Sequence, residues 1–180
     1  NTAIATVSGN VVTGVLAGTA TITYTLPTSC IMTAVVTVNP LPATITGTTN
    51  VCAGLTTTLS DATALGTWSS SNTTVATIGA GTGLVNGLVA GTATVTYKLT
   101  TTGCIMTTPL TVNPLPAAIT GTMNVCAGLT TTLSDATGTG TWSSSNTTVA
   151  SVGSGSGVVT GVVAGTATMT YTIPTGCIMT

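Results

Sequence analysis

Thr92-Ala93-Thr94-Val95-Thr96-Tyr97 alternates a hydroxyl side chain with an apolar one through six residues. Successive side chains of a strand point to opposite faces, so Ala93, Val95 and Tyr97 share one face and the threonines the other. The same alternation runs through residues 19–24 and 166–171. No window shows the apolar spacing of a helix, and β-branched residues dominate, as strands favour.

Outward from this stretch, the neighbouring segments read the same way. Leu55, Thr57 and Leu59 suggest a second strand, and Gly66-Thr67-Trp68-Ser69 a third with Trp68 turned inward. Residues 75–78, 84–89 and 105–112 follow, and residues 43–46 come before them all. Some seven short strands are thus separated by Gly, Asn and Ser turns, a density that predicts an all-β sandwich. Pro109 lies within the last strand, where a missing N–H predicts an edge position.

The pattern is internally repeated. Asn-Pro-Leu-Pro-Ala begins at Asn39 and Asn113, Asn-Val-Cys-Ala-Gly at Asn50 and Asn124, and Gly-Thr-Trp-Ser-Ser-Ser at Gly66 and Gly140, a period of 74 residues. Ala-Gly-Thr-Ala-Thr appears three times, from Ala17, Ala90 and Ala164. Self-similarity at fixed spacing marks a tandem array. Residues 1–39 read as the C-terminal half of one repeat, 40–113 as a complete repeat, and 114–180 as a repeat lacking its last few residues. Half a repeat cannot bury its apolar face alone. Either the chain continues or another chain completes the fold; with no initiator Met, the expectation is a piece of something longer.

Composition narrows function. The only charged side chains are Lys98, Asp61 and Asp135, and His is absent. General acid–base catalysis needs titratable groups held near the reacting atoms, and nucleic-acid binding needs several Lys or Arg. A metal site needs clustered His, Cys or carboxylates. The reading is therefore no enzyme, no cofactor, no metal and no nucleic-acid partner. Mean hydropathy is high at +0.66, yet Thr, Ser or Gly interrupts every apolar run before the ~18 residues of a spanning helix. Membrane insertion is not expected. Nearly uncharged, Thr-rich strand faces would tolerate close lateral packing, since little charge repels a neighbour.

Residues 68–98 resemble the signature of bacterial Ig-like group 2 domains. The Trp-Ser-Ser-Ser-Asn stretch lies at 68–72, the Val-Ala-x-Ile stretch at 75–78, and the Gly-x-Val-x-Gly-x-x-Ala-Gly-Thr-Ala stretch at 83–93. The elements recur from Trp142 and, without the Trp, from Ile4. The cysteine-bearing flanks look like those of large repetitive surface proteins of Bacteroidota. The resemblance implies tandem Ig-like β-sandwiches, extracellular and at the cell surface, in a stalk or filament. Further copies of the same repeat would be the partners, in cis and by lateral or end-to-end association. The alternatives are a spacer in an adhesin whose binding tip lies elsewhere, or a linker array of a secreted enzyme. A shared fold fixes no ligand.

In a secreted β-protein, regularly spaced cysteines predict disulfides. Two connectivities are open. Within repeats, Cys52 would pair with Cys104 and Cys126 with Cys177. Between repeats, Cys52 would pair with Cys177, leaving Cys30, Cys104 and Cys126 to partners outside the chain. In an Ig-type sandwich, Cys52 and Cys104 should lie at opposite ends, roughly 25 Å apart, against a Cα limit of about 7 Å for a bridge. That favours the inter-repeat bond; free buried thiols are the third possibility. Trp68 and Trp142 are expected in the core, with Tyr24, Tyr97 and Tyr171 burying their rings and keeping the hydroxyl at a polar edge. Asp61 and Asp135 are expected to cap turns. Asn72-Thr73-Thr74 and Asn146-Thr147-Thr148 match the N-glycosylation pattern, which a Thr-rich chain produces by chance. Lys98 is expected to be a solvated surface residue.

Overall fold

The computed structural model describes residues 1–180, all strands and turns with no helix. The first copy contributes two separate antiparallel hairpins. β1 (Ala5–Ser8) pairs with β2 (Val11–Gly14), and β3 (Gly18–Thr25) with β4 (Ile31–Val38). The two hairpins bury only Ala5 and Ala20, and a lone two-stranded sheet is marginal in water. Tyr24, expected in the core, is accordingly 67% exposed. It lacks the neighbouring strand of the same sheet that covers its counterparts, because residues 1–39 hold no equivalent of the Trp68 segment.

The second copy is a complete sandwich. Its strands are β5 (Thr46–Gly47), β6 (Asn50–Cys52), β7 (Thr56–Ser60), β8 (Gly66–Ser70), β9 (Ala76–Ile78), β10 (Leu84–Gly87), β11 (Gly91–Leu99) and β12 (Ile105–Asn113). One sheet runs β5-β7-β10-β9 and the other β6-β12-β11-β8. The alternation along β11 is realised: Ala93, Val95 and Tyr97 are buried, while Thr92 and Thr94 face solvent. Thirteen buried residues from both sheets form one core, among them Leu59, Trp68, Val85, Val95 and Leu110. Burying each large side chain contributes about 1.5–3 kcal/mol.

Three details differ from the sequence reading. β6 is an additional strand, three residues long and too short to show alternation; it pairs parallel with the end of β12. Leu55 precedes β7 and is exposed, so the inward position there belongs to Leu59 alone. The opening strand is two residues long and starts at Thr46. Pro109 has a ladder partner on one side only: it faces Thr94 of β11, while β6 meets β12 from Thr111 onward. The strand is an edge locally, where the missing N–H costs no ladder bond.

The third copy repeats the design with β13 (Thr120–Gly121), β14 (Thr130–Ser134), β15 (Thr141–Ser144), β16 (Ala150–Val152), β17 (Val158–Gly161), β18 (Met169–Thr172) and β19 (Ile178–Met179). Its second sheet holds only β15-β18-β19. Residues 165–168 have the same sequence, Gly-Thr-Ala-Thr, as the start of β11, yet lie outside any strand. Local propensity is the same in both, so the difference is the partner. In the second copy Gly91 to Thr94 pair with Pro109 to Val112 of β12; β19 pairs with β18 only at Tyr171 and Thr172.

Candidate functional site

No three of the Cys and Asp side chains come together as metal ligands would. The chemically distinctive place is the joint between the second and third copies. β12 ends at Asn113, and its carbonyl accepts a 2.9 Å hydrogen bond from the Ala53 amide. β6 lies alongside, with Cys52 opposite Asn113 in register. Cys52 is thus fixed where the chain crosses into the next repeat.

Across the joint, the turn between β18 and β19 presents Cys177. The turn is closed by Gly176 N–H to Ile173 C=O at 2.9 Å and by Ile173 N–H to Cys177 C=O at 3.0 Å. Cys52 and Cys177 form a disulfide with their Cα atoms 5.7 Å apart, inside the ordinary range for such bonds. Cys177 is buried in the third core, and Cys52, a second-copy residue by backbone, packs against that same core. Cys104 is half-buried and free, while Cys30 and Cys126 are exposed and free. Neither intra-repeat pair forms.

The peptide strand of the joint is also held. Pro116 is buried, and the next amide, Ala117, donates a 2.8 Å hydrogen bond to Thr137 Oγ1. At the preceding joint Pro42 is buried, and Ala43 donates to Thr63 Oγ1 at the same distance. The threonines are held by the aspartates: Asp61 Oδ1 accepts from the Thr63 amide at 2.8 Å and Asp135 Oδ1 from Thr137 at 2.7 Å. These are Asx turns, in which a carboxylate substitutes for a backbone acceptor. Asp61 Oδ2 and Asp135 Oδ2 are enclosed without a protein partner. Pairwise spacing in the sequence reveals the aspartate turn but not its link to the joint, which depends on tertiary contact over 20 residues.

Trp68 and Trp142 are buried, and so are Tyr97 and Tyr171. Each pair meets at ring centroids 4.7 Å and 4.8 Å apart with tilted planes. An indole buried this way has no face free for a sugar. Asn72 and Asn146 are exposed, and each Oδ1 accepts from the amide and hydroxyl of the second Thr after it.

Residues 32–102 and 107–176 each match the bacterial Ig-like domain (group 2) family. The chain belongs to that family. As a tandem of bacterial Ig-like group 2 domains it also has fold likenesses among solved structures. Domains 4 and 5 of the S-layer protein SbsC share 21% identity over 73% of this chain and 92% of that one, with a TM-score of 0.40. A six-domain SbsC structure shares 18% over 90% of this chain and 34% of its own length, at 0.39. A C-terminal fragment of intimin, solved in complex with the translocated intimin receptor's binding domain, shares 15% over 77% and 62%, at 0.48. Likenesses this distant say nothing of what these Ig-like domains bind. No curated protein matches the chain at a significant level.

Proposed function

We propose that this chain is a non-catalytic structural segment of a long extracellular bacterial filament or surface stalk. The observation that carries the reading is the Cys52–Cys177 bond, which ties the start of one Ig-like repeat to the end of the next. Backbone and disulfide cross the joint in parallel, so an axial load is shared by two covalent paths. Such a bond persists in oxidising surroundings outside the cytoplasm. Buried prolines and the Ala117–Thr137 hydrogen bond remove slack from the backbone path. One Lys and two Asp leave no charge footprint for nucleic acid. Its partners are further copies of the same repeat, in cis and by association.

The test is a spin-label distance measurement between the second and third repeats, with labels attached at exposed threonines by a chemistry that does not use thiols. The oxidised chain should give one narrow distance distribution. Reduction, or Cys52→Ser, should broaden it while the thermal unfolding midpoint of the repeats changes little. A sharp fall in the midpoint with an unchanged distance distribution would overturn the reading, because the bond would then serve single-domain stability.

A further inference from the structure

Four apolar side chains stand open at the joint between the second and third repeats. Leu55 is 56% exposed, Leu88 49%, Val89 61% and Leu115 of the linker 43%. They belong to three loops that backbone hydrogen bonds tie together. The Leu88 and Val89 amides both donate to the Val75 carbonyl, at 2.8 and 3.2 Å. Gly87, just before them, donates to the Leu55 carbonyl at 3.0 Å and accepts from the Gly54 amide at 2.8 Å. The Leu55 amide donates to the Cys52 carbonyl at 3.0 Å, and the Ala53 amide to that of Asn113, two residues before Leu115. These loops therefore form an apolar collar continuous with the Cys52–Cys177 joint.

Packing within the chain does not account for the collar. The third repeat is docked beside it through the disulfide and leaves all four side chains open. A single exposed Leu is ordinary, whereas a fixed cluster of apolar side chains marks a contact surface. The cluster also recurs. In the third repeat Leu129, Val162 and Val163 are exposed, and the Val162 and Val163 amides share the Val149 carbonyl. Gly161 donates to the Leu129 carbonyl at 3.1 Å, as Gly87 does to Leu55. In the first copy Val15 and Leu16 are exposed and share the Ile4 carbonyl, and Leu41 of the following linker is exposed too.

We infer that the collar is the contact by which two copies of this chain lie side by side, each collar against the same collar of its neighbour. The inference rests on the filament reading above and names the surface where lateral copies meet. Period is the first reason for a second copy as occupant. The collar returns with the 74-residue repeat, and a partner of the same period meets collar after collar. One such contact is weak, but those that follow form within an existing complex and reinforce it. Charge is the second reason. Lys98 lies at the other end of β11, opposite Ile105. Asp135, whose turn holds the linker, has Oδ1 bonded to the Thr137 amide and Oδ2 enclosed. The collar thus offers no charge to repel its own copy and none to recruit a charged partner. A patch that meets itself is what a two-fold contact requires. Loops already held by backbone bonds also lose little freedom on contact.

The experiment uses the oxidised 180-residue chain from micromolar to millimolar concentration. Sedimentation equilibrium measures association, and Leu and Val methyl NMR spectra over the same range map it. Self-association is expected, with shifts gathered at Leu55, Leu88, Val89 and Leu115 and their counterparts in the other copies. Leu88→Asp and Val89→Asp, combined with Val162→Asp and Val163→Asp, should weaken association at least tenfold. The Trp fluorescence melt should stay that of the parent, and the same four changes to Ser, which add no charge, should weaken association in the same direction. Thr94→Asp, exposed on the outer face of β11, should leave association unchanged. A chain that stays monomeric throughout would overturn the inference. So would shifts gathered away from the collars, a loss with Thr94→Asp as large as with the collar variants, or binding to phosphatidylcholine vesicles without self-association. All these outcomes are read with the Cys52–Cys177 bond closed, so the spin-label test of the filament reading stands or falls separately.

Discussion

The Gly66 amide donates a 3.0 Å hydrogen bond to the Tyr97 hydroxyl, which itself donates to the Thr63 carbonyl at 2.6 Å. The ring lies so close to Gly66 that a Cβ there would overlap it. The third repeat repeats the contact, with the Gly140 amide 2.7 Å from the Tyr171 hydroxyl. Tyr97→Phe leaves the ring in place but strands two backbone groups, so it should destabilise the second repeat by about 1–3 kcal/mol. Gly66→Ala forces the ring aside and should cost about 1–3 kcal/mol. Chemical denaturation followed by Trp fluorescence checks both.

Leu110→Ala should be among the most damaging single substitutions in the second repeat, at about 2–5 kcal/mol, because it empties a site with no exposed surface. Val36→Ala, the equivalent change in the first copy, should cost well under half as much, since Val36 is only half-buried there. Denaturant midpoints of the two variants at equal m-value test the difference.

Asp135→Asn keeps an acceptor at Oδ1 for the Thr137 amide and removes the carboxylate's charge, with an Nδ2 amide group in place of the unpartnered Oδ2. It should leave stability within about 0.5 kcal/mol of the parent, whereas Asp135→Ala should lose about 1 kcal/mol. Thermal melts of the two variants decide; equal losses would mean that the charge, not the acceptor, holds the turn.

Thr137→Val preserves shape and removes the acceptor that anchors Ala117. Because the lost bond anchors the linker to the third repeat and lies outside the core, its main effect should be on motion. Backbone order parameters at Leu115 and Ala117 should fall, while the unfolding midpoint drops by no more than about 1 kcal/mol equivalent. NMR relaxation on labelled protein provides the measurement.

Much of this fold is legible because the alternation at 92–97 and its repeats are a direct print of burial on one face. Trp68, Trp142, Tyr97 and Tyr171 are buried where such a pattern puts them. Tyr24 ends the same alternating pattern and is exposed. Residues 165–168 have the sequence of a strand and no ladder. Both show that a strand's surroundings lie on another part of the chain, which periodicity does not carry. β6 leaves no mark in the sequence because three residues show no period. The turn aspartates were visible, but the contact from Thr137 to the joint becomes apparent only in three dimensions.

Cys52 and Cys177 are 125 residues apart in sequence, with Cys104 and Cys126 between them. For a chain that emerges N-terminus first from a secretion channel, Cys52 meets three competing thiols, those of Cys30, Cys104 and Cys126, before its partner exists outside. Folding of the second repeat carries Cys104 to the far end of the nine-residue strand β12 and out of reach. Folding of the third repeat in turn buries Cys177 beside Cys52. The bridge is therefore a joint signature of two neighbours: its native geometry needs Cys52 placed by the second repeat and Cys177 placed by the third.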